Sequence, residues 1–298
     1  MNQSSLQAGL FNAFLSDQIK RKGERIVVTT SIISFIIHVL LIVLVDLEII
    51  RIAGNPYLLA DPIAAIYTPF SFILIYEVYL LVYHIPKSTS NYIGKQYEII
   101  TLIVIRALFK DLSQLHFNAD WFKDRADLQF TYDLITTLIL FFLIFIFHRL
   151  NDRPVQEEDP EEISGKVKQL IKRKELMAIV LVPIFLFMAL YSLGSWTLDM
   201  FISWRDGTPP TIDLNNIFFD EFFTILILAD VLLLLFSLFH TDRFSSVIRN
   251  SGFIVSTILL RLSFSSEGIM RNLLIVTAVL FGVLMLLIFN QYKKLKSY

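Results

Sequence analysis

The chain contains no cysteine, which excludes disulfides, thiolate metal sites and a catalytic thiol. Charge is scarce as well. Asp, Glu, Lys and Arg make up 18% of the 298 residues, against about a quarter in ordinary globular chains. A formal net charge of −1 excludes a strongly basic nucleic-acid binder. Catalytic signatures are missing too: there is no His-Glu-x-x-His, Gly-x-Ser-x-Gly, Walker loop or Gly-rich dinucleotide fingerprint. No secretory signal is expected, because the first strong apolar segment starts near residue 26, outruns an h-region and lacks a small-residue cleavage site. These absences predict no enzyme, no cofactor, no metal centre and no nucleic-acid partner.

What the chain has is apolar surface in long runs. Apolar residues make up 55% and mean hydropathy is +0.63. Thr30–Val45 carries one ionisable side chain, His38, and Leu134–Phe147 carries none. Met177–Leu198 has no acid, base or histidine in 22 residues, and Leu273–Phe289 none in 17. About 20 helical residues cross the hydrocarbon core of a bilayer, so these runs predict an integral membrane protein.

The sequence also repeats itself. Ile19-Lys20-Arg21-Lys22-Gly23-Glu24 returns, one glycine shorter, as Ile171-Lys172-Arg173-Lys174-Glu175, and each copy leads into an apolar run. Glu24 and Glu175 lie 151 residues apart, as do Glu48 and Asp199, while Glu77 and Asp230 are separated by 153 and Arg106 and Arg261 by 155. An offset that drifts so little reads as a tandem duplication with small loop indels.

Eight spans follow, at about 27–49, 62–84, 93–115, 130–149, 176–199, 217–239, 247–266 and 271–291. The fold class is all-α, with two parallel four-helix repeats. Spans three and seven are the weakest, since an arginine interrupts each, and hydropathy alone counts six. The units are a cytoplasmic amphipathic segment at 1–25, a first four-span unit at 26–150, a linker at 151–175, a second unit at 176–292 and a basic tail at 293–298. In the first segment Leu6, Leu10 and Phe14, with Phe11, Leu15 and Ile19, recur at helical spacing, which suits a helix lying on the membrane or packing on the protein itself. The linker gathers prolines and the acids Glu157-Glu158-Asp159 and Glu161-Glu162, as a solvated connection does.

Orientation follows from the basic residues. With the N-terminus cytoplasmic, 18 of the 26 lysines and arginines fall on the cytoplasmic side and six outside, with Arg106 and Arg261 within spans. Both termini are therefore expected in the cytoplasm. Lys20, Arg21, Lys22, Lys172, Arg173 and Lys174 form the basic membrane-surface clusters. Trp121, Trp196 and Trp204 fall near the outer interface, as an aromatic belt does.

Ionisable groups at membrane depth are costly and mark packing or function. Duplication singles out four: Glu77, Arg106, Asp230 and Arg261. The simplest arrangement is an ion pair within each half, Glu77 with Arg106 and Asp230 with Arg261. Depth opposes direct contact. Glu77 lies about 22 Å from the outer end of its span and Arg106 about 10 Å from the outer face, a vertical gap on the order of 10 Å. In the alternative, Arg106 serves Glu48 or Asp133, and Arg261 serves Asp199, Asp220 or Glu221. Glu77 and Asp230 are then protonated or wet, as a proton or cation site requires. His38 has no counterpart in the second half and reads as a satisfied or lipid-facing histidine. His84, His148 and His240 fall at span ends, and Glu98 reads as a local partner of Lys95 or of a helix N-terminus. The acids of Asp120-Trp121-Phe122-Lys123-Asp124-Arg125-Ala126-Asp127, with His116 nearby, read as a solvated outer loop or a divalent-cation site.

Residues 76–111 carry a family resemblance. Tyr76-Glu77-Val78, then His84-Ile85-Pro86, then Tyr97-Glu98-Ile99-Ile100 through Arg106, then Lys110-Asp111, resemble the bacterial phosphate-starvation-inducible protein E family. The family's four-span unit has an acid late in span two, a His-x-Pro-type turn, and an arginine about 30 residues after the acid. Here the interval is 29 in the first half and 31 in the second. The second half departs from the pattern: Asp230 replaces the Glu, and Phe239-His240-Thr241-Asp242-Arg243 stands where the turn should be. The resemblance implies two copies of the unit in the bacterial cytoplasmic (inner) membrane, a fold and a location rather than a reaction. Two functions remain open: a channel-like or small-solute or ion transport protein, or a non-transporting scaffold or stress-response subunit. The expected partners are the lipid bilayer and either a second copy in a homo-oligomer or another membrane protein.

Overall fold

Each apolar run becomes a helix, because backbone polar groups in a largely apolar segment are satisfied most cheaply within the segment itself. The computed structural model describes residues 11–49, 67–86, 89–112, 125–152, 165–206, 214–238 and 244–295, together with 9 and 65. Among these residues the structure is helical and contains no strand. The long helices, in chain order, are α1 Asp17–Asp46, α2 Tyr67–His84, α3 Thr89–Leu112, α4 Arg125–Asn151, α5 Gly165–Asp206, α6 Leu214–Leu238, α7 Phe244–Phe264 and α8 Gly268–Leu295.

Among the described residues five stretches are long and apolar enough to cross a membrane: Phe11–Asp46, Asp127–Asn151, Ile171–Tyr191, Ser246–Phe264 and Gly268–Tyr292. They make this a membrane-embedded protein. Their outward faces agree, since Ile32, Ile33, Ile36, Ile37 and Leu40 of α1 and Phe141, Phe142 and Phe145 of α4 are exposed, as side chains that face lipid are.

Helix ends follow local chemistry. Ser16 caps α1 by accepting from the Ile19 N–H at 3.3 Å, and Asp17 places an acid in the first turn. The other end of α1 closes with a paired-carbonyl turn: Glu48 N–H donates to Val45 O at 2.9 Å and Ile49 N–H to Leu44 O at 3.1 Å. Glu48 occupies the left-handed position of that turn, φ 55°, where glycine is the usual choice. Pro183 lies inside the 42-residue α5.

The helices pack sequentially. α1 rests on α2, α2 on α3 and α3 on α4; α5 rests on α6, α6 on α7 and α7 on α8. α4 meets α8, α3 meets α7 and α2 meets α5, so the first four helices join the last four along three seams. The core runs through Leu81, Ile100, Phe147, Phe222, Phe223 and Phe253. At the centre Tyr97 of α3 lies over Gly282 of α8, where a side-chain carbon would sit 2.7 Å from the Tyr97 Cζ. Glycine is required there by close approach, not by backbone angle.

Of the segment expected at 1–25, residues 17–25 already belong to α1. Leu15 is buried in the core, Phe11 packs against it, and Tyr79 Oη donates to Phe14 O at 2.9 Å. Lys20, Arg21 and Lys22 occupy the opening turns of α1 itself. Likewise Lys172, Arg173 and Lys174 are already within α5, which begins inside the expected linker.

Candidate functional site

α2, α3 and α4 bring four charged or chargeable groups into one chain. Lys95 Nζ lies 3.4 Å from Glu77 Oε2 and also pairs with Glu98, one helical turn on. Glu98 Oε1 in turn meets His148 Nε2 at 2.9 Å. The spacing explains the geometry: Lys95 and Glu98 share a face of α3 at i, i+3, and Gly94 lets α4 come close enough for His148 to reach it. Glu77 therefore takes Lys95 and not Arg106. The depth mismatch between Glu77 and Arg106 is the physical reason. Arg106 is buried farther along α3, at 3% exposure.

The second acid lies at the seam between the two sets of helices. Asp230 of α6 is 5% exposed, and its Oδ2 accepts from Gln96 Nε2 of α3 at 3.1 Å. The Gln96 carbonyl accepts from Thr257 Oγ1 of α7 at 2.8 Å. At the preceding position Ser256 Oγ donates to Ala278 O at 2.7 Å, which leaves its lone pair for the Tyr97 hydroxyl at 2.8 Å. Asp230 does not pair with Arg261, whose Nε donates to Thr224 Oγ1 of α6 at 2.8 Å.

The expected outer-side acids divide. Asp133 is fully buried and takes Arg271 of α8 at 3.0 Å, with Gln129 donating at 2.7 Å and Asn272 also in contact, so it is committed to α8 and not to Arg106. Glu48 is exposed beyond α1, and Glu221 is exposed on α6. The side chains of Asp199 and Asp220, like Trp196 and Trp204, lie outside the described residues, as do residues 113–124 with their acids and His240. His38 Nδ1 meets Thr68 Oγ1 of α2 at 2.5 Å, a satisfied histidine.

A cavity of about 200 Å³ opens beside Asp230. Thr89 and Ile93 of α3, Lys174 of α5 and Ser246, Arg249 and Asn250 of α7 help to line it. It therefore draws on both sets of helices, at the end of the bundle where α3 and α7 begin. Lys174 Nζ donates to Thr89 Oγ1 at 3.4 Å. Arg249 is held more firmly: Nε and Nη2 both donate to Asn250 Oδ1, at 3.1 and 3.0 Å, and the guanidinium lies 4.3 Å over the Phe289 ring. Of the basic clusters, Arg21, Lys22, Lys172 and Arg173 are exposed, whereas Lys20 lies 5.1 Å over the Tyr83 ring and Lys174 faces the cavity.

Sequence reasoning singled out neither Gln96 as the partner of Asp230, nor Lys95 as that of Glu77, nor Arg271 as that of Asp133. One signal was present. Lys95-Gln96 and Arg249-Asn250 are separated by 154 positions, inside the drift of the other landmarks. Among the described residues no group of three or more His, Cys, Asp or Glu side chains could hold a metal ion. No protein-family model, curated protein or solved structure matches the chain.

Proposed function

We propose that this chain is a multi-pass protein of the bacterial cytoplasmic membrane, with both termini cytoplasmic, that passes a small solute or ion between two parallel four-helix repeats. In this reading all eight helices cross the bilayer, in the arrangement that the resemblance to the phosphate-starvation-inducible protein E family implies. Helix order supports the repeats: α1–α4 and α5–α8 pack in the same sequence, and equivalent helices meet across the seam as α3 with α7 and α4 with α8. The observation that carries the transport reading is the cavity at that seam, lined by residues of both repeats and reaching the buried Asp230. A carboxylate beside a polar cavity at membrane depth is the arrangement that ion pathways use.

The scaffold reading draws on one observation of its own. Glu77 faces Lys95 and Asp230 accepts from Gln96, so each acid has a partner that also fixes helix packing. Ion flux into liposomes, followed with a proton-sensitive dye under an imposed potassium gradient, separates the two. Transport predicts that Asp230→Asn is recovered folded and loses at least tenfold in flux. Unchanged flux from folded Asp230→Asn and Glu77→Gln protein rules the transport site out. Loss of both variants from the membrane favours the scaffold.

A further inference from the structure

Lys95 and Arg249 occupy corresponding places, 154 positions apart, on α3 and α7. Their surroundings differ in charge. Lys95 is neutralised inside the protein by Glu77 and Glu98. At the same offset Glu98 corresponds to Gly252, a buried glycine packed against Met285. Arg249 thus loses one of the two acids. The other, Asp230, accepts from Gln96 and is not within ion-pair distance of Arg249. A second cation, Lys174, faces the same cavity from α5. Among the described residues neither Lys174 nor Arg249 has a carboxylate partner; their bonds go to Thr89 and Asn250, which are neutral. Two cations share a partly enclosed space with one carboxylate, Asp230, that pairs with neither, and an anion entering the space relieves the excess positive charge.

We infer that the cavity between α3, α5, α6 and α7 is an oxyanion-binding site, with Arg249 and Lys174 as its two charged ligands. The donors fit that class. Arg249 is pinned by Asn250 and Phe289, so little side-chain freedom is lost on binding, and its Nη1 donors remain available. Lys174 keeps donors beyond the one it gives Thr89. Ser246, also in the lining, adds a hydroxyl. A space of about 200 Å³ takes a tetrahedral oxyanion with its water, or the phosphate of one acidic lipid headgroup. Both sources present the same chemistry, a compact anionic oxygen cluster met by a guanidinium and an ammonium. The assignment deepens the proposed pathway but requires only that the cavity is accessible, so binding and flux succeed or fail separately.

The test is equilibrium binding of radiolabelled sulfate to the purified full chain in neutral maltoside at fixed ionic strength. Native mass spectrometry of the chain extracted from mixed phosphatidylcholine–phosphatidylglycerol vesicles accompanies it. Saturable sulfate binding, weakened at least about tenfold in Arg249→Gln and in Lys174→Gln and kept in Arg25→Gln, assigns a free oxyanion; Arg25 is an exposed cation on α1. One retained phosphatidylglycerol without sulfate binding, lost in the same two variants, assigns the lipid headgroup. The variants lie on different helices, so a folding failure of one leaves the other to report. Absence of both ligands from the wild-type chain overturns the inference, as does an equal loss in Arg25→Gln.

Discussion

Gly282→Ala tests whether the seam between the first and last four helices is built as described. A carbon added at Gly282 meets Tyr97 head on, overlapping the hydroxyl, 2.7 Å from Cζ and 3.2 Å from Cε2. The ring has little room to yield. Tyr97 is fully buried, its edge meets Phe147 at a centroid distance of 5.1 Å, and its hydroxyl is bonded to Ser256. Overpacking a filled core costs about 1–3 kcal/mol. Withdrawing the hydroxyl from Ser256 adds about 1–3 kcal/mol for the unsatisfied buried group. Allowing for partial relaxation, the expected loss is about 2–4 kcal/mol. Tyr97→Phe alone costs about 1–2 kcal/mol. Because it removes the atom that collides, the double variant loses less than the two single losses combined, with a coupling of about 1 kcal/mol or more. Reversible unfolding of purified protein in maltoside, read through a full double-mutant cycle, supplies these values. A Gly282→Ala protein within about 0.5 kcal/mol of wild type, or strictly additive losses, refutes the close approach of Tyr97 to α8.

Two further stability changes are expected. Glu48→Gly relieves a left-handed backbone at the end of α1 and stabilises the protein by about 0.5–1 kcal/mol in the same assay, whereas Glu48→Ala gives no such gain. Arg271→Met leaves the fully buried Asp133 with only neutral donors and costs about 2–3 kcal/mol, the low end of a broken buried pair because the arginine side chain is 30% exposed. Adding Asp133→Asn recovers at least half of that loss.

The helices were legible because their signal is long and local. Apolar runs placed α4 and α8 within a few residues of their observed ends, and residues 93–112 and 247–264 of the two weak segments each lie in one continuous helix. Hydropathy undervalued them because it prices Arg106 and Arg261 as if each faced lipid. Arg106 is instead buried, and Arg261 donates to Thr224. Beyond the local pair of Lys95 with Glu98, partners were not legible, for a physical reason. Position along one helix gives the depth of a charge but not its rotation toward a neighbour. Depth was enough to argue against Glu77 meeting Arg106, but naming Lys95 requires knowing which face of α3 meets α2. Asp133 and Arg271 lie on helices far apart in the chain, and no local spacing could have joined them. The N-terminal segment shows the same limit: its periodicity marks an apolar face, and only the burial of Leu15 shows that protein covers part of it.

The length of α5 has a mechanical consequence. At 42 residues it spans about 63 Å, twice a bilayer's hydrocarbon thickness of about 30 Å. Its proline supplies no backbone N–H, so the carbonyl of Ile179 lacks its helical donor and bending is least costly at that turn. Lys174 lies nine positions before Pro183, a lever arm of about 14 Å. A bend of about 10° at the proline swings the lysine by about 2 Å, comparable to the difference between an ion pair and a water-separated one. The position of one ammonium in the cavity lining is thereby tied to the bend of a single rod.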